Sequence, residues 1–146
     1  MNELKIIKVP YNSEYYTQVV ILRQKILRSP LGLKLSKKDL ASDNNEIILA
    51  VLKNNKVIAC LQLKIIAPQV FKLRQMAVDT NFQNQKIGTN LIKKAEEVAL
   101  KKEMKEIKLH ARKTAVKFYQ KLGYQIISEE FTEVGIPHYE MLKKLT

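Results

Sequence analysis

A chain of 146 residues, 46% apolar and 27% charged, suits one globular domain over residues 1–146 that needs neither disulfides nor metal to hold its core. A single cysteine, Cys60, excludes an internal disulfide, and four glycines and four prolines exclude collagenous and low-complexity classes. The formal charge of +12 attracts polyanions in general, but the lysines are scattered, with no Arg-rich tail and no aromatic–basic ladder, so neither a specific nucleic acid nor a membrane is an expected partner.

Leu4 to Val9 is a short strand candidate stopped by Pro10. From Ser13, a plausible N-cap, the spacing of Tyr15, Tyr16, Val19, Val20, Leu22, Ile26 and Leu27 predicts a helix. Ser29-Pro30-Leu31-Gly32 is expected to end it, because a residue before proline is pushed away from helical geometry. Ser36-Lys37-Lys38-Asp39 has capping-box spacing with Asp in place of Glu, compatible with a short helix. Glu46–Leu52 and Lys56–Ile66 read as strands around Asn54-Asn55, a pair suited to a tight hairpin turn. In the second, Val57, Ala59, Leu61, Leu63 and Ile65 are predicted to share a face, with Gln62 and Lys64 opposite.

Val70–Val78 gives the next strand. Ile87, Leu91, Ile92, Ala95, Val98 and Ala99 form a helical stripe. Glu106–Ala111 is a strand, Thr114–Leu122 a helix and Tyr124–Phe131 a strand, and after Gly135-Ile136-Pro137 a last strand runs through His138 to Leu142. This order predicts an α/β fold, a mixed sheet with helices on its faces. No apolar run approaches the roughly 20 residues of a membrane span. Met1 to Lys5 lacks the apolar core of a signal peptide, so a cytoplasmic location is expected.

The turn Gln83-Asn84-Gln85-Lys86-Ile87-Gly88-Thr89 lies between a strand and a long helix. Backbone N–H groups stacked there, at the positive end of the helix dipole, suit an anion. Downstream, Phe118-Tyr119-Gln120-Lys121-Leu122-Gly123-Tyr124 is a glycine-closed helix end that carries a phenol. These two segments, with Leu73-Arg74-Gln75-Met76-Ala77-Val78 before the turn, resemble the GNAT superfamily of acetyl-CoA-dependent N-acetyltransferases. The resemblance is close from about Ile48 to Leu145. Two positions depart from it: Lys86 stands where the first glycine usually lies, and Arg112 where many members carry asparagine. At positive φ, Lys86 costs of order 1 kcal/mol, which an ammonium beside pyrophosphate can offset.

The resemblance implies a mostly antiparallel mixed sheet whose one parallel central pair, Val70–Val78 and Glu106–Ala111, splays to admit CoA. It implies acetyl-CoA as co-substrate, with no metal and a primary amine as acceptor. Backbone groups of Met76, Ala77 and Val78 would hold the pantetheine arm, and the turn from Gln83 to Thr89 the pyrophosphate. Tyr119 resembles the family tyrosine that protonates the departing thiolate; its alternative role is to pack on the sheet beside Phe118.

For the acceptor end, Glu133 is a candidate to attract the ammonium and His138 to remove its proton, against a purely structural role in the Gly135–Pro137 turn. Glu130 is a further candidate base. His110 reads more readily as structural, and Cys60 as a buried small hydrophobe. Arg23 and Arg28 could line the acceptor mouth or lie solvated. Two other functions stay open, acetylation of protein lysines or N-termini and a CoA-binding sensor or interaction module without catalysis. A homodimer also stays open.

Overall fold

The computed structural model describes residues 3–145; residues 1, 2 and 146 of the predicted domain lie outside the described residues. In chain order it comprises β1 Leu4–Lys8, α1 Glu14–Arg23, α2 Lys37–Leu40, β2 Ile47–Lys53, β3 Lys56–Ala67, β4 Val70–Val78, α3 Ile87–Lys101, β5 Glu106–Arg112, α4 Val116–Lys121, β6 Gln125–Ile126, β7 Phe131–Glu133 and β8 Ile136–Lys144. The strands form one sheet in the order β1-β2-β3-β4-β5-β8-β6, with β7 also on β8. Every pairing is antiparallel except the parallel β4–β5 pair at the centre.

The sheet separates two apolar layers. On one side α3 sends Ile87, Leu91, Ile92, Ala95 and Ala99 against Leu61, Leu63, Phe71, Leu73, Ile107 and Leu109. On the other, Val19 and Leu22 of α1 cover Ile48, Ala50, Leu52, Cys60 and Ala77. Helices therefore stand on both faces, as the resemblance implies. Among the described residues no helix is long and apolar enough to cross a membrane.

Local chemistry accounts for several boundaries. Ser13 Oγ accepts the Tyr16 N–H at 3.2 Å and starts α1. Ser36 and Asp39 complete a reciprocal capping box, with Asp39 filling the role usually given to Glu. Asn54 and Asn55 both take positive φ, 51° and 63°, as the two-residue β2–β3 turn requires. Gly123, at φ 96°, closes α4: its N–H donates to the Gln120 carbonyl and that of Tyr124 to the Tyr119 carbonyl, a Schellman pair that fixes Tyr119 in the last turn.

Several expectations need adjustment. Ser29 is not pushed out of helical geometry, although the first helix gives out at Arg28, just before the expected Ser29–Gly32 stop. The helix loosens into a π-helical turn over Gln24–Arg28, and Ser29–Leu31 form a 3₁₀ turn ended by Gly32 at φ 71°. Ser29 keeps helical angles of −55° and −42°, because it opens a new turn in which Pro30, the second residue, needs no N–H. Second, Val57 leaves the predicted face of β3 for the α1 layer, since the register slips between Val51 and Leu52, and Ile65 is 66% exposed. Third, Gln62 does lie opposite that face, as expected, and there it is fully buried against Arg23 and Asp43. Fourth, Tyr124–Phe131 is not one strand. β6 and β7 are separate pieces on β8, and between them Ser128 Oγ accepts the Glu140 N–H at 2.8 Å, standing in for a ladder bond.

Candidate functional site

One residue in β4 shapes the site. Opposite Leu61 of β3, β4 places two residues, Gln75 and Met76, and Gln75 takes φ 53°. Such a bulge inserts a residue and bends the strand. Before it, Phe71 and Leu73 face α3; after it, Met76 and Val78 do, and Ala77 turns to the α1 side. The parallel ladder with β5 runs from Val70–Glu106 to Leu73–Leu109 and stops. Beyond that point β4 and β5 diverge, so Met76, Ala77 and Val78 have an edge unpaired with β5.

A cleft of about 330 Å³ occupies the gap, lined from one side by Met76, Ala115 and Tyr119 and from the other by Leu27, Arg28 and Asp39. Tyr119 is 8% exposed, and its hydroxyl donates to the Met76 sulfur at 3.5 Å. Burial pushes its phenol pKa up to about 12, so the group keeps its proton at any ordinary pH.

At the start of α3 the turn is curled by two left-handed residues, Asn84 at φ 65° and Lys86 at φ 61°. Lys86 thus adopts the positive φ at which lysine is strained. Its carbonyl accepts the Asn90 N–H at 3.0 Å, and no side chain caps the helix, leaving first-turn N–H groups from Ile87 to Thr89 available to an anion. Gln83 Nε2 ties the turn back to the Val78 carbonyl at 3.1 Å, and Gln85 Nε2 reaches the Asn81 carbonyl at 3.5 Å. Gly88 has ordinary helical φ, and space is its contribution: a Cβ there would sit 3.0 Å from the Met76 methyl and 3.5 Å from Phe118. The helix start therefore abuts the Met76–Tyr119 contact.

At the opposite end of the cleft Glu133 joins two histidines. His110 Nδ1 lies 2.8 Å from Glu133 Oε1, and His138 Nε2 lies 3.6 Å from Oε2. His138 Nδ1 is 3.0 Å from the Ile136 carbonyl, which can only accept, so Nδ1 carries a proton, and in the neutral ring Nε2 is the free acceptor. Phe131 stacks on the His138 ring at 6.0 Å and meets the His110 ring edge-on at 5.0 Å. Burial works to raise the Glu133 pKa, but the His110 hydrogen bond, aided by the charges of His110, His138 and Lys72, outweighs it and lowers the value. Glu130 is engaged elsewhere, with Lys113 at 2.9 Å and the Tyr139 hydroxyl at 3.4 Å.

The sequence reading left several of these groups out. His110, placed there as structural, is the closest partner of Glu133. Lys72 and Arg74 of β4 and Arg112 of β5 also line the cleft. Alternation is the signal that could have found them: 72 and 74 on one strand, with 110 and 112 on its parallel neighbour, share a sheet face. Arg23 is not at the mouth. It is wholly buried, with Nη1 2.8 Å from both Asp43 Oδ2 and Gln62 Oε1. Cys60 is buried, and desolvation raises its thiol to about 12, as suits a small buried hydrophobe. Among the described residues no cluster of ligating side chains could hold a metal ion.

A family model of the acetyltransferase (GNAT) domain matches residues 32–145. YyaT of Bacillus subtilis (strain 168), an uncharacterized protein, is 39% identical over 75 residues, 51% of either chain. The chain spans about half the length of the curated relatives it matches. Among solved structures, a Lactobacillus plantarum protein superposes with a TM-score of 0.89 at 23% identity, over 99% of this chain and 100% of that one. An aminoglycoside 6′-N-acetyltransferase complexed with coenzyme A superposes with a TM-score of 0.82 at 14% identity, over 97% of each. At such identities these likenesses establish the fold alone.

Proposed function

Because the chain belongs to the GNAT acetyltransferase family, we propose that it moves the acetyl group of acetyl-CoA directly to a primary amine, most readily that of a small molecule. The observation that carries this reading is the gap between β4 and β5, which has the buried Tyr119 phenol on one side and the His138 imidazole on the other. Two reactants that approach from opposite faces of a sheet can be aligned in such a gap, and alignment removes much of the barrier to a two-substrate reaction.

In this mechanism first-turn N–H groups of α3 and the Lys86 ammonium hold the pyrophosphate, and the β4 edge from Met76 to Val78 pairs with the pantetheine amides. Nε2 of His138 takes one proton from the ammonium, and Glu133 steadies the imidazolium so formed. The amine nitrogen then bonds the carbonyl carbon, and the carbon–sulfur bond breaks. The sulfur receives the Tyr119 proton. The second nitrogen proton returns to the phenolate through solvent, which balances the reaction. His110 orients Glu133 through its 2.8 Å contact.

The cleft volume lies within the range of small-ligand pockets, which favours a small amine over a protein segment. A continuous sheet from β1 to β8 supports one domain over the whole chain, and a reduced, buried Cys60 fits a cytoplasmic location. The test is thiol release from acetyl-CoA across a panel of small amines and lysine-bearing peptides. Release with small amines is the expected result. Release with peptides alone transfers the acceptor to proteins, and CoA binding with no release under any condition leaves a sensor.

A further inference from the structure

Two guanidiniums on the cleft wall have no carboxylate partner. Arg28 and Arg112 both line it, and among the described residues neither belongs to an ion pair. Each spends one N–H on the same backbone oxygen: Arg112 Nη2 donates to the Leu27 carbonyl at 3.0 Å and Arg28 Nη1 at 3.3 Å. A guanidinium has five donors, so most of theirs remain unspent. Burial, and then the charge of Arg28, depress the Arg112 pKa, so the two cations stand close enough to oppose one another. The acidic lining residue Asp39 accepts from the Ser36 N–H at 2.8 Å and hydroxyl at 3.0 Å; these bonds, helped by the charge of Arg28, lower its pKa, but it makes no ion pair with either arginine. The neighbouring Arg74 is different, because Glu46 neutralises it.

Position gives the pair a use. Arg112 is directly opposite His138 in the β5–β8 register, and its side chain reaches across the cleft to the π-helical turn that carries Leu27 and Arg28. We propose that the acceptor amine carries an anionic oxygen group, a carboxylate or a phosphate, bound between Arg28 and Arg112 while its ammonium lies at Glu133 and His138. The acceptor is then a short zwitterion. A plain amine lacks the charge these guanidiniums await. This inference rests on the acetyl-transfer reading and narrows its substrate class.

Matched acceptor pairs at saturating acetyl-CoA test it: β-alanine against propylamine, and phosphoethanolamine against ethanolamine. At least one anionic member should exceed its neutral partner in kcat/KM by about ten- to a hundredfold, the size expected for charge-assisted hydrogen bonds. The pair that discriminates identifies carboxylate or phosphate. Arg28→Gln and Arg112→Gln should erase that preference by raising the acceptor KM while leaving the KM for acetyl-CoA unchanged, and Arg28→Lys should restore part of it. A second readout needs no turnover: with CoA present, the preferred anionic acceptor should raise the thermal midpoint of the wild type and not of either Gln variant. Equal use of both members of each pair, with no such midpoint shift, overturns the anionic acceptor and leaves acetyl transfer standing. A raised KM for acetyl-CoA in the Gln variants also overturns it, by reassigning the arginines to the CoA phosphates. Absence of thiol release with every amine removes acetyl transfer itself, and this inference with it.

Discussion

The Tyr119 phenol donates to a thioether, a weak acceptor that a sulfur anion would readily replace. Its pKa of about 12 means that no fall in kcat/KM between pH 6 and about pH 10 should trace to its ionisation. Tyr119→Phe keeps the ring packed on Phe118 and Tyr124, at centroid distances of 5.1 and 5.8 Å, and deletes only the proton. Steady-state kinetics with a good amine should show turnover lowered roughly ten- to a thousandfold, with CoA affinity by calorimetry nearly unchanged. Unchanged turnover, with chemistry limiting the rate, reduces the hydroxyl to packing. A second residue-scale prediction concerns stability. Asp43 is fully buried and accepts from Arg23, from the Tyr16 hydroxyl at 2.6 Å and from Gln62 Nε2 at 3.0 Å. Asp43→Ala strands the Arg23 guanidinium, whose Nε and Nη2 already lack partners, and should cost about 3–5 kcal/mol in denaturant unfolding. Adding Arg23→Met should recover only part of this, because Tyr16 and Gln62 still leave polar atoms there.

At the scale of elements, α3 and β4 approach one another through Gly88. An alanine there need displace only the flexible end of Met76, and its helix propensity offsets much of that cost, so Gly88→Ala should change stability by no more than about 1 kcal/mol. Gly88→Leu should lower stability by about 1–3 kcal/mol through overpacking and weaken CoA binding, since its branches press on Met76 and Phe118. Denaturant midpoints and a CoA titration of both variants check this; a leucine variant with wild-type CoA affinity would show that the helix start is not part of the cofactor site. Element types were legible where periodicity, caps and turn residues agreed, as in β4, α3 and the Ser36 capping box. They were not legible where neighbours decided the outcome. The gap between β6 and β7 follows from what β8 donates to Ser128, and the buried role of Arg23 depends on Asp43, which reaches it only through the tertiary fold. The turn from Gln83 to Thr89 and Tyr119 stood out as motifs. The His110–Glu133 contact depends on β5 and β7 both pairing with β8, which no local pattern encodes.

For the molecule as a whole, the charge of +12 bears on encounter with a polyanionic co-substrate. Association with CoA should slow steeply as salt rises from about 20 to 300 mM, whereas dissociation should change much less; stopped-flow binding separates the two rates. A salt-insensitive association rate would mean that the lysines act at their own sites and create no common field. The bulge at Gln75 acts on the molecule as a reading frame does on a message. Upstream of it odd-numbered residues of β4 belong to the α3 layer, and downstream even-numbered ones do, so one residue assigns the rest of the strand to its proper side. Deleting Gln75 is thus a frameshift in three dimensions: Met76 and Val78 would change layers, Ala77 would be too small for the space it inherited, and the β4–β5 gap would lose its cause. Chain length at this point matters more than chemistry. Gln75→Gly should be borne easily at φ 53°, whereas no point substitution elsewhere in β4 can restore the lost count.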